Sequence, residues 1–263
     1  MTPLLLGPAP GARCLVIGGC GGIGLEYVKG LVAGGARVAV MDLPASLANV
    51  PLPDGVLGIA MDVTDDEHLQ ASIHQLGESW GGLDVFAYVS GINTAPTAIV
   101  DAKISDMRRI IEINLVAAYV AAQAALPQLK RSPSASMVFV SSSLHGNAEA
   151  GFGAYAASKG GLVSLMKVLA REGAPQVRAN AIAPGLVETA FLSGGTGNGG
   201  SAGSSDDFLS KQGAQGERIR ASIPLGRVAN APEIAEPMLF LSGPASRYMT
   251  GAILYVNGGR FTP

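Results

Sequence analysis

The stretch RCLVIGGCGGIG, residues 13–24, decides the reading of this chain. Arg13 to Ile17 is a short apolar run, the pattern of a strand buried on both faces. It passes directly into Gly18-Gly19-Cys20-Gly21-Gly22-Ile23-Gly24 and a helix-length segment, Gly22 to Ala33. Backbone amides and a helix N-terminus therefore converge where a pyrophosphate could sit, and larger side chains would block that approach. A glycine-rich loop alone could serve only a tight turn. The position after the first strand, with Gly18, Gly22 and Gly24 in G-x-x-x-G-x-G spacing, favours dinucleotide binding.

Outward from this unit, apolar runs alternate with helix-length segments. The runs Arg13 to Ile17, Arg37 to Met41, Val56 to Ala60, Asp84 to Val89, Met137 to Ser141, Val177 to Ala183 and Ile253 to Val256 read as strands. Gly22 to Ala33, Asp65 to Trp80, Ile104 to Lys130, Tyr155 to Arg171 and Pro232 to Leu241 read as helices. The alternation predicts an α/β fold: one doubly wound, Rossmann-like parallel sheet of about seven strands with helices on both faces. No repeat or Pro-rich linker divides residues 1–263, so one dinucleotide-binding and catalytic domain is expected. Within it, residues 190–222 are expected to form a flexible substrate loop. Gly194 to Ser205, GGTGNGGSAGSS, is costly to order and serves either as a surface insertion or as part of a lid.

The 263 residues are 48% hydrophobic and 14% charged, which motivates subunit contacts as well as a buried core. A net charge of -2, without any basic run, gives no footprint for nucleic acid. Cys14 and Cys20 lack CxxC spacing and companion histidines, so neither a disulfide framework nor a metal site is expected. The opening Met1 to Gly11 has no basic region typical of a signal peptide, and no apolar run reaches about 20 residues. The richest run, Leu115 to Leu126, reads as a buried helix. No membrane partner and a cytoplasmic location are the expectations.

At the cofactor end, Asp42 closes the second strand, followed by Leu43. A carboxylate there can accept hydrogen bonds from both adenosine ribose hydroxyls and would repel a 2′-phosphate, which favours NAD over NADP. Asp62-Val63 follows the third strand, where Asp62 could accept the adenine amino group, or Asp62 or Thr64 could cap the next helix. Ser90-Gly91 follows the fourth strand and would let the backbone pass close to the ribose.

At the reacting end, Tyr155 and Lys159 lie four residues apart, on one face if the segment is helical. A nearby ammonium and an oxidised nicotinamide would both favour phenolate and bring the phenol closer to working pH. Ser142, 13 positions before Tyr155, can present its hydroxyl to the same substrate oxygen, while Ser141 and Ser143 bond locally. Asn114 stands in an apolar helix segment, Ile113-Asn114-Leu115-Val116, where an amide needs partners. Beside Tyr155 and Lys159 it is read as the holder of a relay water, with a packing amide as the alternative.

The glycine loop, Asp42, Asp62, Asn114, Ser142, Tyr155 and Lys159, in this order and spacing, resemble the short-chain dehydrogenase/reductase family. Further likenesses are Asn180-Ala181-Ile182-Ala183-Pro184-Gly185 with Val187 and Thr189, then Ile223-Pro224-Leu225-Gly226-Arg227, Tyr248-Met249-Thr250-Gly251 and Val256-Asn257-Gly258-Gly259. The resemblance implies hydride transfer at nicotinamide, with Tyr155 as acid/base, Lys159 on the nicotinamide ribose, Ser142 on the substrate oxygen and Asn114 in the water relay. It implies that Pro184, Gly185, Val187 and Thr189 hold the nicotinamide. It also implies a homo-oligomer, tetramer before dimer, built through the long helices and final strand. Two departures stand out: Ile17 where many members have threonine, and Tyr88-Val89-Ser90-Gly91 in place of the usual Asn-Asn-Ala-Gly.

The expected function is NAD-dependent interconversion of a small or moderately hydrophobic secondary alcohol and its ketone. Its alternatives are a catalytically silent NAD-binding regulator or scaffold, and an epimerase or dehydratase. His145, Phe152, Leu186 and Phe191 flank the reacting segments and are the expected pocket lining.

Overall fold

The computed structural model describes residues 6–193, 209 and 213–263. Along β1 (Arg13–Ile17), Leu15 and Ile17 face one core while Cys14 and Val16 face another, all inaccessible to solvent. This two-sided burial explains why the strand is apolar throughout rather than alternating. The same division runs through β2 (Arg37–Asp42), β4 (Val85–Tyr88), β5 (Ala135–Val140) and β6 (Val177–Pro184).

With β3 (Leu57–Ala60) and the last strand, these form a seven-stranded sheet in which every pairing is parallel. Two short strands, β7 (Val187–Glu188) and β8 (Ala229–Asn230), pair as a separate ribbon, and β9 (Ile253–Val256) completes the order β3-β2-β1-β4-β5-β6-β9. The expected fold class and strand number are those observed. Strand order reverses beside β1, which lies between β2 and β4, so a ligand crevice opens past the carboxyl ends of β1 and β4.

Helices cover both faces. One face carries α1 (Gly22–Ala33). A short α2 (Pro44–Asn49) follows β2, and α3 (Asp66–Trp80) packs on the other face. Asp65 caps α3 by accepting from the His68 amide at 3.0 Å, so the capping role assigned to Asp62 or Thr64 falls to Asp65.

The segment expected as one regular helix from Ile104 to Lys130 is interrupted. It comprises α4 (Ile104–Ile111), a π-turn (Glu112–Val116) and α5 (Ala117–Leu129). Taken together, the 26 helical residues Ile104–Leu129 are apolar enough to cross a membrane by length and composition, a run longer than the one read from sequence. Half of its apolar window is buried, and its alanines pack into the core against α3. Next come α6 (Gly153–Glu172), α7 (Ala214–Ala221) and α8 (Ala231–Ser242), the last packing on α1. Of the expected loop 190–222, Gly194 to Ser205 lies outside the described residues, and α7 occupies its end.

Candidate active site

The glycine loop turns sharply because Gly18 adopts φ +86°, and a Cβ there would stand 2.5 Å from the Ser90 amide nitrogen. The ends of β1 and β4 thus touch at the switch point, which only glycine at position 18 permits. Gly21, the N-cap of α1, has no side chain to satisfy the first-turn amides, which remain available to an anion. Thr189 closes over the same turn: a Cβ on Gly22 would lie 2.6 Å from its Cγ2. Gly22, Ile23 and Gly24 therefore open α1 directly beneath the β7 segment that carries Val187 and Thr189.

Asp42 ends β2 with its carboxylate against the glycine loop. Oδ2 accepts from the Cys20 amide at 2.9 Å and Oδ1 from the Leu43 amide at 2.8 Å. Each oxygen keeps lone-pair capacity for further donors. Asp62 is exposed, and its Oδ1 accepts from the Thr64 amide at 3.0 Å and hydroxyl at 2.8 Å, while Val63 is buried. An uncapped helix start, a backbone-lined turn and a carboxylate beyond the second strand fit a dinucleotide.

Tyr155 and Lys159 are both buried on α6, one turn apart. The Lys159 ammonium lies 5.7 Å from the Tyr155 ring centre and donates to the Val140 carbonyl at 2.9 Å. Gly91 passes close to it: a Cβ there would be 3.2 Å from Nζ and 3.3 Å from Asn114 Oδ1. Burial pushes the Tyr155 phenol up to about 12, partly offset by its hydrogen bond with the Ser142 hydroxyl. Burial also pushes Lys159 down to about 8. In the protein alone, without the oxidised nicotinamide that the sequence reading also invoked, the phenol is shifted away from neutrality. Desolvation of the phenolate is the larger effect.

Asn114 sits fully buried in the π-turn. Its Oδ1 accepts from the Ile92 amide at 2.8 Å; its Nδ2 donates to the Ile92 carbonyl at 3.0 Å and to Ser158 Oγ at 3.0 Å. Ser158 in turn donates to the Tyr155 carbonyl at 2.7 Å. The amide thus ties the loop after β4 to the helix that carries Tyr155, and both Nδ2 hydrogens are used.

Ser142 follows β5 and its Oγ accepts from the Leu144 amide at 3.2 Å. Ser141 donates to the Lys159 carbonyl at 3.1 Å and Ser143 to the Pro184 carbonyl at 2.7 Å. The outer two serines do not bond locally as expected: their partners lie 18 and 41 residues away and brace the frame, while the Ser142 hydroxyl interacts with Tyr155. A cleft of about 60 Å³ opens here, lined by Ser142, Pro184, Gly185, Leu186, Arg260 and Phe261 among others. Phe191 places its ring 6.2 Å from that of Tyr155, and Phe152 is the residue before α6. His145 is placed behind the serine: Nδ1 is 2.7 Å from the Ser142 carbonyl and Nε2 is 3.1 Å from the Tyr255 hydroxyl. Among the described residues no cluster of His, Cys, Asp and Glu could hold a metal.

Residues 18–260 match the family model described as enoyl-(acyl carrier protein) reductase. The chain belongs to the short-chain dehydrogenase/reductase family. One relative is an uncharacterised short-chain type dehydrogenase/reductase of Sinorhizobium fredii, 34% identical over 95% of this chain, which spans 44% of that protein's length. Another is the cis-4-hydroxycyclohexanecarboxylate dehydrogenase of Sinomonas cyclohexanicum, 30% identical over 93% of this chain and 94% of its own. A crystal structure of 3-ketoacyl-(acyl-carrier-protein) reductase from Brucella melitensis, complexed with NADH, superposes with a TM-score of 0.82. It covers 95% of this chain and 98% of that one at 26% identity.

Of the two departures from the dehydrogenase/reductase pattern, one has a visible replacement. At Ile17 only the backbone bonds, its carbonyl accepting from the Val89 and Ser90 amides at 2.8 and 3.1 Å, contacts that any residue there would make. Tyr88, inaccessible to solvent, donates its hydroxyl to the Ile113 carbonyl at 2.6 Å, an acceptor inside the π-turn. Sequence reasoning missed this brace, and it missed Arg260 and Phe261 at the cleft. An aromatic at a strand's end signals burial, not its polar partner. A charged residue two positions past Asn257-Gly258 carries no motif.

Proposed function

We propose that this protein interconverts a secondary alcohol and its ketone, using NAD(H) as the hydride carrier. The observation that carries the reading is the convergence of three groups beside the glycine loop. The Ser142 hydroxyl, the buried Tyr155 phenol and the buried Lys159 ammonium meet on one side of a backbone-lined nucleotide crevice. When bound, the nicotinamide supplies the hydride donor or acceptor. Ser142 holds the substrate oxygen, and Tyr155 gives it a proton in reduction or removes one in oxidation. Lys159 stabilises the phenolate so formed and holds the nicotinamide ribose. Asn114 positions Ile92 and α6 and supports a water relay to Lys159.

For the cofactor, Gly18, Gly22, Ile23 and Gly24 would cradle the pyrophosphate and Asp42, with Leu43, would take the adenosine ribose. Asp62 and Val63 would border the adenine, Ser90 and Gly91 the ribose, and Pro184, Gly185, Val187 and Thr189 the nicotinamide. The Asp42 carboxylate disfavours a 2′-phosphate, and the NADH-bound Brucella melitensis structure is in line with this preference. The hydroxyl pair of Ser142 and Tyr155 suits a C–O centre, as does the activity named for the Sinomonas cyclohexanicum relative. Exposed apolar side chains on α4, α5 and α6 (Ile104, Met107, Tyr119 and Val168) and the half-buried edge strand β9 support a homo-oligomer.

The cofactor assignment is tested by nicotinamide absorbance with NAD and NADP, for the wild type and Asp42→Ala. The expected outcome is turnover with NAD, little with NADP, and a narrowed preference in the variant. NADP preference in the wild type would overturn it.

A further inference from the structure

We propose that Arg260 is a carboxylate anchor, so that the substrate is a hydroxy acid or the corresponding keto acid; this rests on the alcohol/ketone reading of the site. Arg260 lines the same cleft as Ser142, and its side chain is 19% exposed. The chain fixes it there. Asn257 Oδ1 accepts from the Gly259 amide at 2.9 Å, and its Nδ2 donates to the Phe261 carbonyl at 2.8 Å, folding residues 257–261 into a staple. Phe261 packs edge-on against Tyr255, ring centres 5.4 Å apart. Tyr255 stacks on His145, which contacts the Ser142 carbonyl at 2.7 Å. The guanidinium and the reacting hydroxyl are thus held by one connected framework.

Arg260 is paired less completely than Arg13 and Arg227. Arg13 grips Asp84 with two side-chain hydrogen bonds, 2.7 and 2.8 Å, and Arg227 grips Glu233 in the same forked way. Arg260 meets Glu149 by a single contact, Nη2 to Oε1 at 2.8 Å, and among the described residues no guanidinium hydrogen bond accompanies it. Glu149 is the more exposed partner, 36%, on the loop before α6. The planar fork that matches a carboxylate is therefore only partly used, and Arg260 lines the cleft that Ser142 also lines. One arginine already shared with an acid suits a singly charged carboxylate better than a doubly charged phosphate. The lining also carries Asn147 and Glu149, while Leu144, Pro184, Leu186 and Phe261 offer apolar surface for a hydrocarbon frame between carbinol and carboxylate.

The probes are trans-4-hydroxycyclohexanecarboxylate and its methyl ester, and the readout is the ratio of their kcat/KM values within each protein, with NAD. The wild type is expected to favour the acid by roughly tenfold or more, the range of one charge-assisted hydrogen-bonded pair. Arg260→Gln should bring the ratio close to one. Glu149→Gln, which frees the guanidinium, should raise it, an opposite response that a purely structural ion pair would not give. The same ratio in all three proteins would overturn the anchor while leaving the alcohol/ketone reading intact. If neither probe is turned over, that reading fails for this substrate class and calorimetry with the acid decides the anchor. Binding lost in Arg260→Gln would uphold it, and equal or absent binding would reject it.

Discussion

Lys159→Met should make the protein more stable at neutral pH while abolishing turnover. The Lys159 side chain is 3% exposed, and its ammonium contacts the Val140 carbonyl at 2.9 Å. Burial lowers its pKa from 10.5 to about 8, a fall equivalent to about 3 kcal/mol. Below about pH 8 the ammonium is charged in both folded and unfolded chains, so folding carries the full cost of burying it. As pH rises from about 8 through the ordinary lysine range, the folded state sheds the proton first and the cost fades. Above that range neither state is charged.

Methionine keeps the unbranched stem, removes the charge and forfeits one hydrogen bond worth about 1 kcal/mol. The net gain is about 1–2 kcal/mol at pH 7, shrinking to nothing or reversing near pH 10.5. Tyr155, held near 12, titrates beyond this window. Urea unfolding of nicotinamide-free wild type and variant at both pH values reads the difference directly. A variant less stable at pH 7, or a gain that does not shrink with pH, would refute the claim that this buried charge is retained for chemistry at a cost to folding.

Tyr88→Phe should destabilise the protein by about 1–2 kcal/mol in urea unfolding, because it removes the hydrogen bond from a fully buried phenol to the part-buried Ile113 carbonyl. The same variant should weaken cofactor binding, measured by titration with NADH, since the π-turn also carries Asn114 and its grip on Ile92. Asp84→Asn tests the forked pair with Arg13. Burial alone would raise the Asp84 pKa, but the Arg13 bonds outweigh it and hold the carboxyl at about 2. A depressed carboxylate stabilises above its unfolded value and loses that contribution as pH falls through about 4 to 2. The deficit of the variant, about 1–3 kcal/mol at pH 7, should therefore vanish near pH 2.

The strands were legible because two-sided burial leaves continuous apolar runs, and the glycine loop because backbone must approach backbone at Gly18. The spacing of Tyr155 and Lys159 placed both on one face of α6, as the structure has them. The π-turn was not legible. Glu112 to Val116 continues a helical pattern in sequence, and the contact that Tyr88 of β4 makes with the Ile113 carbonyl is a long-range one that no local period registers. The ribbon of β7 and β8 is two residues long on each side, too short for any period to register. The upward shift of Tyr155 in the cofactor-free protein was not legible because sequence shows the neighbouring lysine but not the depth of burial, which dominates both groups. Arg260 escaped notice because its placement at the cleft depends on a tail folded back by Asn257.

The most direct test of the account is nicotinamide-linked turnover by wild type and Tyr155→Phe across aliphatic, cyclic and hydroxy-acid alcohols, with NADH binding measured in parallel. The account expects the wild type to reduce NAD with at least one alcohol. It expects Tyr155→Phe to bind NADH normally yet lose about 100-fold or more in kcat, the range of a positioned acid/base. Full turnover by Tyr155→Phe, or a wild type that binds NADH and transfers no hydride to or from any alcohol or ketone, would contradict it.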